Sequence, residues 1–265
     1  MTKKDSITWH VNDSGKVGYI KKEYRFGKYR FHDFANRYFD LEKYDEEFQH
    51  HEGIFEPDDL RFCISWDIDH DDGGVLKDKT KKELIQILNL LSLQTNRSYQ
   101  YGQFDHTTDS KPNSSHIEIS MMEKPIEISE MELQKTVELF EQKEKLDPDK
   151  IELIERAIDW FGRGIRERDL INAFINYWIG FEILSNWIGN GSKFICPNCE
   201  YVIFPSSIKG RCKEFLELTK ITHNLDELYG KRNGLVHSAN PITIQNRNNV
   251  RDLLKESILF CLGKK

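Results

Sequence analysis

The sequence predicts an α+β protein, in which an N-terminal α+β domain (residues 1–145) precedes a C-terminal all-α antiparallel helical bundle (residues 146–265). Residues 60–68 alternate between apolar and polar side chains, which is typical of a strand with one face on a core. After the segment Lys145-Leu146-Asp147-Pro148, apolar residues recur with helical spacing. A chain of 265 residues is long enough for two such modules.

The composition is that of a soluble globular protein, with 38% hydrophobic and 31% charged residues. No apolar run approaches the roughly 20 residues that a membrane span requires. The start, Met1-Thr2-Lys3-Lys4-Asp5, lacks the apolar stretch of a signal peptide. We therefore expect a cytoplasmic protein with no membrane partner. Its five cysteines, an odd and scattered number, argue against a disulfide framework.

The first strands are predicted at residues 7–11 and 17–20, on either side of the turn signal Asn12-Asp13-Ser14-Gly15. In residues 19–31, aromatic side chains interleave with five cations. Such interleaving can bind single-stranded nucleic acid. It is also typical of half-buried antiparallel strands with one solvated face, which is the interpretation we favour. Residues 32–57 show no clear period.

The rest of the N-terminal domain combines strands and helices. Residues 67–74 predict an acidic turn rather than a calcium loop, because an aspartate occupies the position where an EF-hand needs glycine. Residues 79–94 are apolar on nearly all sides, which predicts a helix buried against the sheet. Further strands are expected at residues 99–104 and 116–121. Ser129-Glu130-Met131-Glu132 has the form of a capping box that opens another helix.

The C-terminal half contains a series of predicted helices. The first begins with Asp147 as N-cap and Pro148 at its first position. The second runs from residue 170 to about residue 188 and ends at Gly189-Asn190-Gly191. Ser206 or Ser207 caps a third helix, Asn224 caps a short fourth, and a last helix covers about residues 245–262. Together they predict an antiparallel bundle.

The second helix carries a carboxylate, Glu182, at the edge of its broad apolar face. Helical spacing places Glu182 beside Ile171, Ile175 and Trp178. An unpaired carboxylate is costly to bury, so we expect Glu182 to have a partner. The apolar face fits either the centre of the bundle or a dimer interface.

A Cys-x-x-Cys pair, Cys196 and Cys199, lies in an insertion at about residues 190–205. This spacing suits a structural zinc ion, for which Cys212 and His223 are the downstream candidates. Two alternatives remain open: a half-site that a second protomer completes, and a hairpin with free thiols.

The stretch Arg232-Asn233-Gly234-Leu235-Val236-His237 brings together groups suited to phosphate chemistry. Arg232 can bind a phosphate in bidentate fashion at any pH. His237 belongs to a residue type whose ordinary pKa lies near neutrality, so it can give or take a proton. Residues 205–265 also carry 11 Lys and Arg against 6 Asp and Glu, although the whole chain has a net charge of −6. This local excess favours a polyanion such as RNA, unless the lysines merely solvate helices.

Three segments of the predicted bundle carry a family resemblance. They are Ala157-Ile158-Asp159-Trp160-Phe161, Tyr177-Trp178-Ile179-Gly180-Phe181-Glu182-Ile183-Leu184, and Leu228-Tyr229-Gly230-Lys231-Arg232-Asn233-Gly234-Leu235-Val236-His237. Together they resemble the HEPN superfamily (higher eukaryotes and prokaryotes nucleotide-binding), and within it the Apea-like group. The resemblance implies a HEPN-like bundle and does not extend to residues 1–145, which could recognise a target or inhibit the bundle.

Active members of that family are metal-independent endoribonucleases that work as homodimers, with the two motifs facing each other. The resemblance implies that Arg232 binds the scissile phosphate of RNA and that His237 is the acid or base in attack by the ribose 2′-hydroxyl. Asn233 would orient the phosphate or the histidine. Catalysis would need no cofactor.

The same resemblance implies supporting roles around this site. Glu182 would hold Arg232 or a neighbouring helix, Tyr229 and Lys231 would flank the arginine, and Trp178 is expected in the core. A ribonuclease of the defence or toxin kind would have an antitoxin or another defence-system partner. Two alternatives are a non-catalytic RNA- or nucleotide-binding dimerisation module and a purely protein-binding scaffold.

Overall fold

The computed structural model describes residues 5–13, 18–33, 62–68, 74–107, 126–187, 194–195, 202–203, 208–238 and 241–263. The predicted strand at 116–121, the glycine stop at 189–191, the serine cap at 206–207, most of the acidic turn, and residues 34–57 of the stretch without a clear period lie outside these residues. The chain forms two compact units, Met1–Glu138 and Leu139–Lys265. It is an α+β protein with a helical C-terminal region, as predicted.

A five-stranded antiparallel sheet forms most of the first unit. The strands of this unit are β1 (Asp5–Asp13), β2 (Gly18–Tyr19), β3 (Tyr24–Phe26), β4 (Tyr29–Asp33), β5 (Phe62–Ile68), β6 (Tyr99–Thr107) and β7 (Ile126–Glu127). The sheet has the order β3-β4-β5-β1-β6. β2 lies outside it and pairs in parallel with β7. The turn signal after β1 therefore does not join two neighbouring strands, because β1 has β5 and β6 as its partners.

The segment rich in aromatic residues and cations forms the β3–β4 hairpin. Gly27 in its turn has a φ of 57°, a conformation that glycine adopts without strain. Tyr24, Tyr29 and Phe31 are buried, whereas Arg25 and Lys28 are exposed. The prediction of half-buried strands with one solvated face is confirmed.

The strand predicted at residues 60–68 is present as β5, and residues on both of its faces are buried. Cys63, Ile64, Ser65 and Trp66 are all buried. β5 lies between β4 and β1 in the sheet, and its second face carries the small residues Cys63 and Ser65. The Ser65 hydroxyl is satisfied there by His32, whose Nε2 lies 2.6 Å from Ser65 Oγ.

The two helices of the N-terminal part follow their sequence patterns. Helix α1 (Gly74–Thr95) begins earlier than predicted and is buried on nearly all sides between residues 84 and 93, as expected. Helix α2 (Glu130–Lys143) opens with the predicted capping box. Glu132 N donates to Ser129 Oγ at 3.3 Å, and Ser129 N donates to Glu132 Oε2 at 2.8 Å.

In its described residues, the second unit consists of helices and one short hairpin. Its elements are α3 (Pro148–Arg166), α4 (Leu170–Leu184), β8 (Phe194–Ile195), β9 (Val202–Ile203), α5 (Ile208–Thr219), α6 (Leu225–Ser238) and α7 (Ile244–Cys261). None of the helices in the described ranges is long and apolar enough to cross a membrane.

Helix α4 is the centre of this unit, and its contacts with α3 and α7 depend on Gly180. A Cβ atom at Gly180 would lie 2.7 Å from Cδ2 of Leu254 in α7 and 3.3 Å from the carbonyl oxygen of Ala157 in α3. The missing side chain therefore lets three helices approach closely. The opposite side of α4 carries Trp178 and Glu182 and is available to α5 and α6.

Capping side chains set the ends of α4. Asp169 Oδ1 accepts from the backbone N–H groups of Ile171 and Asn172 at 3.0 and 2.9 Å. At the other end, the prediction that the helix continues to about residue 188 is wrong. Ser185 Oγ donates to the carbonyl oxygen of Glu182 at 2.7 Å, and Asn186 Nδ2 donates to the same oxygen at 3.3 Å. These bonds satisfy a terminal carbonyl group and end the helix at Leu184.

Two predicted helix N-caps of this unit lie in the described residues, and one of them agrees fully with the structure. Asn224 caps α6 as expected, because Glu227 N donates to Asn224 Oδ1 at 3.2 Å. Pro148 is the first residue of α3, as predicted, but Asp147 makes no side-chain capping bond there. Asp147 Oδ2 instead lies 3.8 Å from Lys150 Nζ.

Candidate functional site

Helix α6 carries the Arg232 to His237 stretch without a break. A glycine costs a helix interior about 1 kcal/mol relative to alanine, yet α6 continues through both Gly230 and Gly234. Arg232 and Asn233 therefore project from a regular helical frame. The Cα of His237 lies one turn beyond that of Asn233 and about 7.5 Å along the axis from that of Arg232. The side chain of His237 is outside the described residues.

The guanidinium group of Arg232 lies near two side-chain oxygens and donates a hydrogen bond to one of them. Arg232 Nη1 donates to Asn233 Oδ1 at 3.2 Å. Arg232 Nε lies 3.7 Å from Glu182 Oε1 on α4. The arginine side chain keeps 33% of its surface exposed, so its charge is accessible from solvent. The structure thus brings three of the predicted site residues together.

Glu182 is oriented by its own helix. Trp178, one turn earlier in α4, donates its indole N–H to Glu182 Oε1 at 2.5 Å. The glutamate side chain is only 20% exposed. Its carboxylate therefore has both a hydrogen-bond donor and a nearby cation, as a half-buried carboxylate requires.

Aromatic packing fixes α6 against α4 at this place. The Trp178 ring stacks on Phe174 with an interplanar angle of 7° and meets the Tyr229 ring at 62°. Because Tyr229 precedes Arg232 by three residues, this contact sets the position of the arginine on the same helix. Tyr229 is thus part of the support of the site.

Lysines add positive charge around Tyr229. Lys209 Nζ lies 5.6 Å from the centroid of the Tyr229 ring and 2.6 Å from Asp226 Oδ1. Lys231, next to Arg232 in sequence, is half-buried. Asp226 pairs with Lys209, so Lys231 is the residue that adds a positive charge next to Arg232 in the sequence, which favours an anionic ligand.

The predicted zinc ligands are only partly described. Cys196 and Cys199 lie outside the described residues, between the two strands of the β8–β9 hairpin. Cys212 is fully buried, and burial raises the pKa of its thiol to about 11, although a hydrogen bond with Ser185 opposes the shift. His223 Nε2 lies 3.4 Å from Glu256 Oε1.

Both Cys212 and His223 thus have partners other than each other. Within the described ranges, no group of three or more His, Cys, Asp and Glu side chains could hold a metal ion. The zinc site stays a prediction, since half of its proposed ligands are not described.

Sequence reasoning missed the role of Trp178, which it assigned to the core alone. Trp178 is indeed 2% exposed, but its indole N–H is the donor that fixes Glu182. The signal was the spacing, because residues four apart face each other on a helix. Ser185, which donates to the backbone oxygen of Glu182, was missed as well.

No protein-family model, no curated protein and no solved structure matches this chain. Functional inference therefore depends on the residues of α4 and α6 and on the resemblance in their sequence.

Proposed function

We propose that the protein is a metal-independent endoribonuclease of the defence or toxin kind, with its site on α6 of a HEPN-like bundle. The observation that carries the proposal is the partly exposed Arg232 guanidinium, which donates to Asn233 Oδ1 at 3.2 Å and lies 3.7 Å from Glu182 Oε1. His237 follows in the same helix. An arginine that binds the phosphate and a histidine that transfers a proton are the groups that this chemistry requires.

The reaction would be attack of a ribose 2′-hydroxyl on the adjacent phosphorus. The new bond joins O2′ to phosphorus, and the bond from phosphorus to the 5′-oxygen breaks. Arg232 would neutralise the charge that develops on the phosphoryl oxygens. His237 would take the proton from the 2′-hydroxyl or give one to the leaving 5′-oxygen. The products are a 2′,3′-cyclic phosphate and a 5′-hydroxyl.

Two exposed isoleucines on α4 support a homodimer with the sites at its interface. Ile171 and Ile175 are 40% and 37% exposed and lie one turn apart. Helical spacing places them on the same side of α4 as Trp178 and Glu182, which face α6. An apolar surface that adjoins the arginine would bring two copies of the site together.

Substitution of Ile175 by aspartate is expected to weaken this dimer at least tenfold, because a carboxylate would lose solvent in the interface. Sedimentation equilibrium measures the effect. Leu218→Asp is the matched control, since Leu218 is also exposed, at 57%, but lies on α5. A dimer that Leu218→Asp disrupts and Ile175→Asp leaves intact would place the interface elsewhere.

The proposed activity is tested by incubating the full chain with a mixed RNA pool in EDTA, beside the His237→Ala variant. The new ends are then sequenced. Cutting by the wild type, and a loss of about 10² to 10⁴ in rate for the variant, are expected if His237 transfers the proton. A His70→Ala variant, from the acidic segment of the first unit, is the control and should cut normally.

Binding without cutting would instead support the non-catalytic RNA-binding module. In that case affinity should fall steeply with salt, and Arg232→Ala should weaken binding. Equal cutting by wild type and His237→Ala would reject the proposed site.

A further inference from the structure

The indole N–H of Trp178 and the guanidinium of Arg232 approach the same oxygen atom from different helices. Trp178 Nε1 lies 2.5 Å from Glu182 Oε1, and Arg232 Nε lies 3.7 Å from it. The second distance exceeds the roughly 2.7–3.2 Å of an N–H···O hydrogen bond. The carboxylate therefore accepts a hydrogen bond from Trp178 and makes none with Arg232.

This restraint matters because a carboxylate and a phosphate compete for the same groups of an arginine. Both accept hydrogen bonds in bidentate fashion from the planar guanidinium. If Glu182 closed on Arg232, it would occupy N–H groups that a phosphate needs. The described contacts of Arg232 involve only Nε and Nη1, so its Nη2 has no partner among the described residues.

The Trp178 ring is held tightly enough to act as a restraint. It stacks on Phe174 at 7° and meets Phe181 and Tyr229 at 65° and 62°. The ring is almost fully buried. Its N–H consequently points in one direction, and Glu182 Oε1 stays where that N–H places it.

We propose that Trp178 is a positioning residue that restrains Glu182 from closing on Arg232 and so keeps the guanidinium open to an RNA phosphate. The proposal depends on the proposed function only in taking Arg232 as the phosphate ligand. Its consequence is that loss of the indole N–H should let Glu182 mask Arg232. Removal of the Glu182 charge should then undo the damage.

The test uses Trp178→Phe, which keeps an aromatic ring in the core but loses the N–H. The probe is a fluorescent oligonucleotide with 2′-O-methyl groups, whose phosphates are intact and whose 2′-hydroxyls cannot attack. Closure of an ion pair worth up to about 1 kcal/mol should raise Kd about fivefold. The double variant Trp178→Phe/Glu182→Gln should recover wild-type affinity or better.

This rescue separates positioning from packing, because Glu182→Gln cannot restore a packing defect. Trp160→Phe is the matched control: it removes a second indole N–H, from a ring on α3 that Arg163 covers at 4.7 Å. Its Kd should not change. A folded Trp178→Phe protein with wild-type affinity would overturn the proposal, and so would a loss of affinity that Glu182→Gln leaves uncorrected.

Failure of the wild type to bind the probe would reject the proposed function. An NMR measurement still tests the role of Trp178 in that case. The Arg232 Nε–H signal is assigned by its disappearance in Arg232→Lys. It should shift in Trp178→Phe, where Glu182 closes on it, and stay unchanged in Trp160→Phe. An unshifted signal in Trp178→Phe would show that Trp178 does not control this contact.

Discussion

Replacement of Arg232 by lysine is expected to lower the rate of RNA cleavage by about 100-fold, although the positive charge is kept. Lysine has a single ammonium group and cannot present the two parallel N–H donors of a guanidinium. It would also lose the hydrogen bond that Arg232 Nη1 donates to Asn233 Oδ1 at 3.2 Å. The effect should appear in the rate at saturating RNA, because stabilisation of the transition state is lost.

The control for this substitution is Arg156→Lys. Arg156 is 57% exposed on α3 and lies 3.8 Å from Glu152, so it is a surface arginine with its own carboxylate. Initial cleavage rates of one oligonucleotide from the RNA pool should be the same for Arg156→Lys and wild type. Wild-type cleavage rates for Arg232→Lys would show that Arg232 contributes only its positive charge and not the geometry of its guanidinium group.

Replacement of Lys143 by alanine is expected to destabilise the second unit by about 2–4 kcal/mol. The Lys143 side chain is only 2% exposed, and its Nζ lies 2.8 Å from Glu155 Oε1 and 3.0 Å from Glu144 Oε1. Nζ also lies 4.4 Å from the centroid of the Phe140 ring. Removal of the ammonium group would leave the Glu155 carboxylate, itself only 18% exposed, without this cation.

Urea denaturation measures this change as a lower free energy of unfolding. The double variant Lys143→Met/Glu155→Leu should be close to wild type, because a buried ion pair can be replaced by apolar groups of similar size. Lys213→Ala, which removes an exposed i,i+4 partner of Glu217, should cost no more than about 0.5 kcal/mol. A single and a double variant that are equally unstable would contradict the role assigned to the ion pair.

Local signals predicted the helices well. The capping box of Ser129 and Glu132 and the cap at Asn224 depend on residues three apart, and the structure contains both. Pro148 marked the start of α3 because its fixed φ suits the first position of a helix. Such signals are visible in a sequence because both partners lie within one helical turn.

Contacts between distant segments were harder to predict. The pairing of β2 with β7 joins Gly18 to Ile126, which are far apart in the sequence, and no residue near Gly18 indicates it. Residues 63–66 of β5 are buried on both faces, which the alternating pattern of the strand itself does not show. Ser65 and His32 satisfy each other across two strands, a contact that neither residue's own segment indicates.

In the candidate site, too, local features could be predicted and contacts between helices could not. That Glu182 needs a partner followed from its position on an apolar helix face. That the partner is Arg232 requires α6 to pack on α4, which the contact between Trp178 and Tyr229 secures. The end of α4 was mispredicted because Ser185 and Asn186 donate hydrogen bonds to the carbonyl oxygen of Glu182, and the helix ends before the glycines at 189 and 191.

The chemistry of the cleaved RNA ends tests the central claim most directly. Wild-type protein is incubated in EDTA with a substrate from the RNA pool, and the termini are identified by mass spectrometry. Attack by the 2′-hydroxyl predicts a 2′,3′-cyclic phosphate and a 5′-hydroxyl, and a single 2′-deoxy substitution at the cleavage site should prevent cutting. Fragments with 5′-phosphate ends, or equal cutting of the deoxy-substituted strand, would contradict the Arg232 and His237 mechanism.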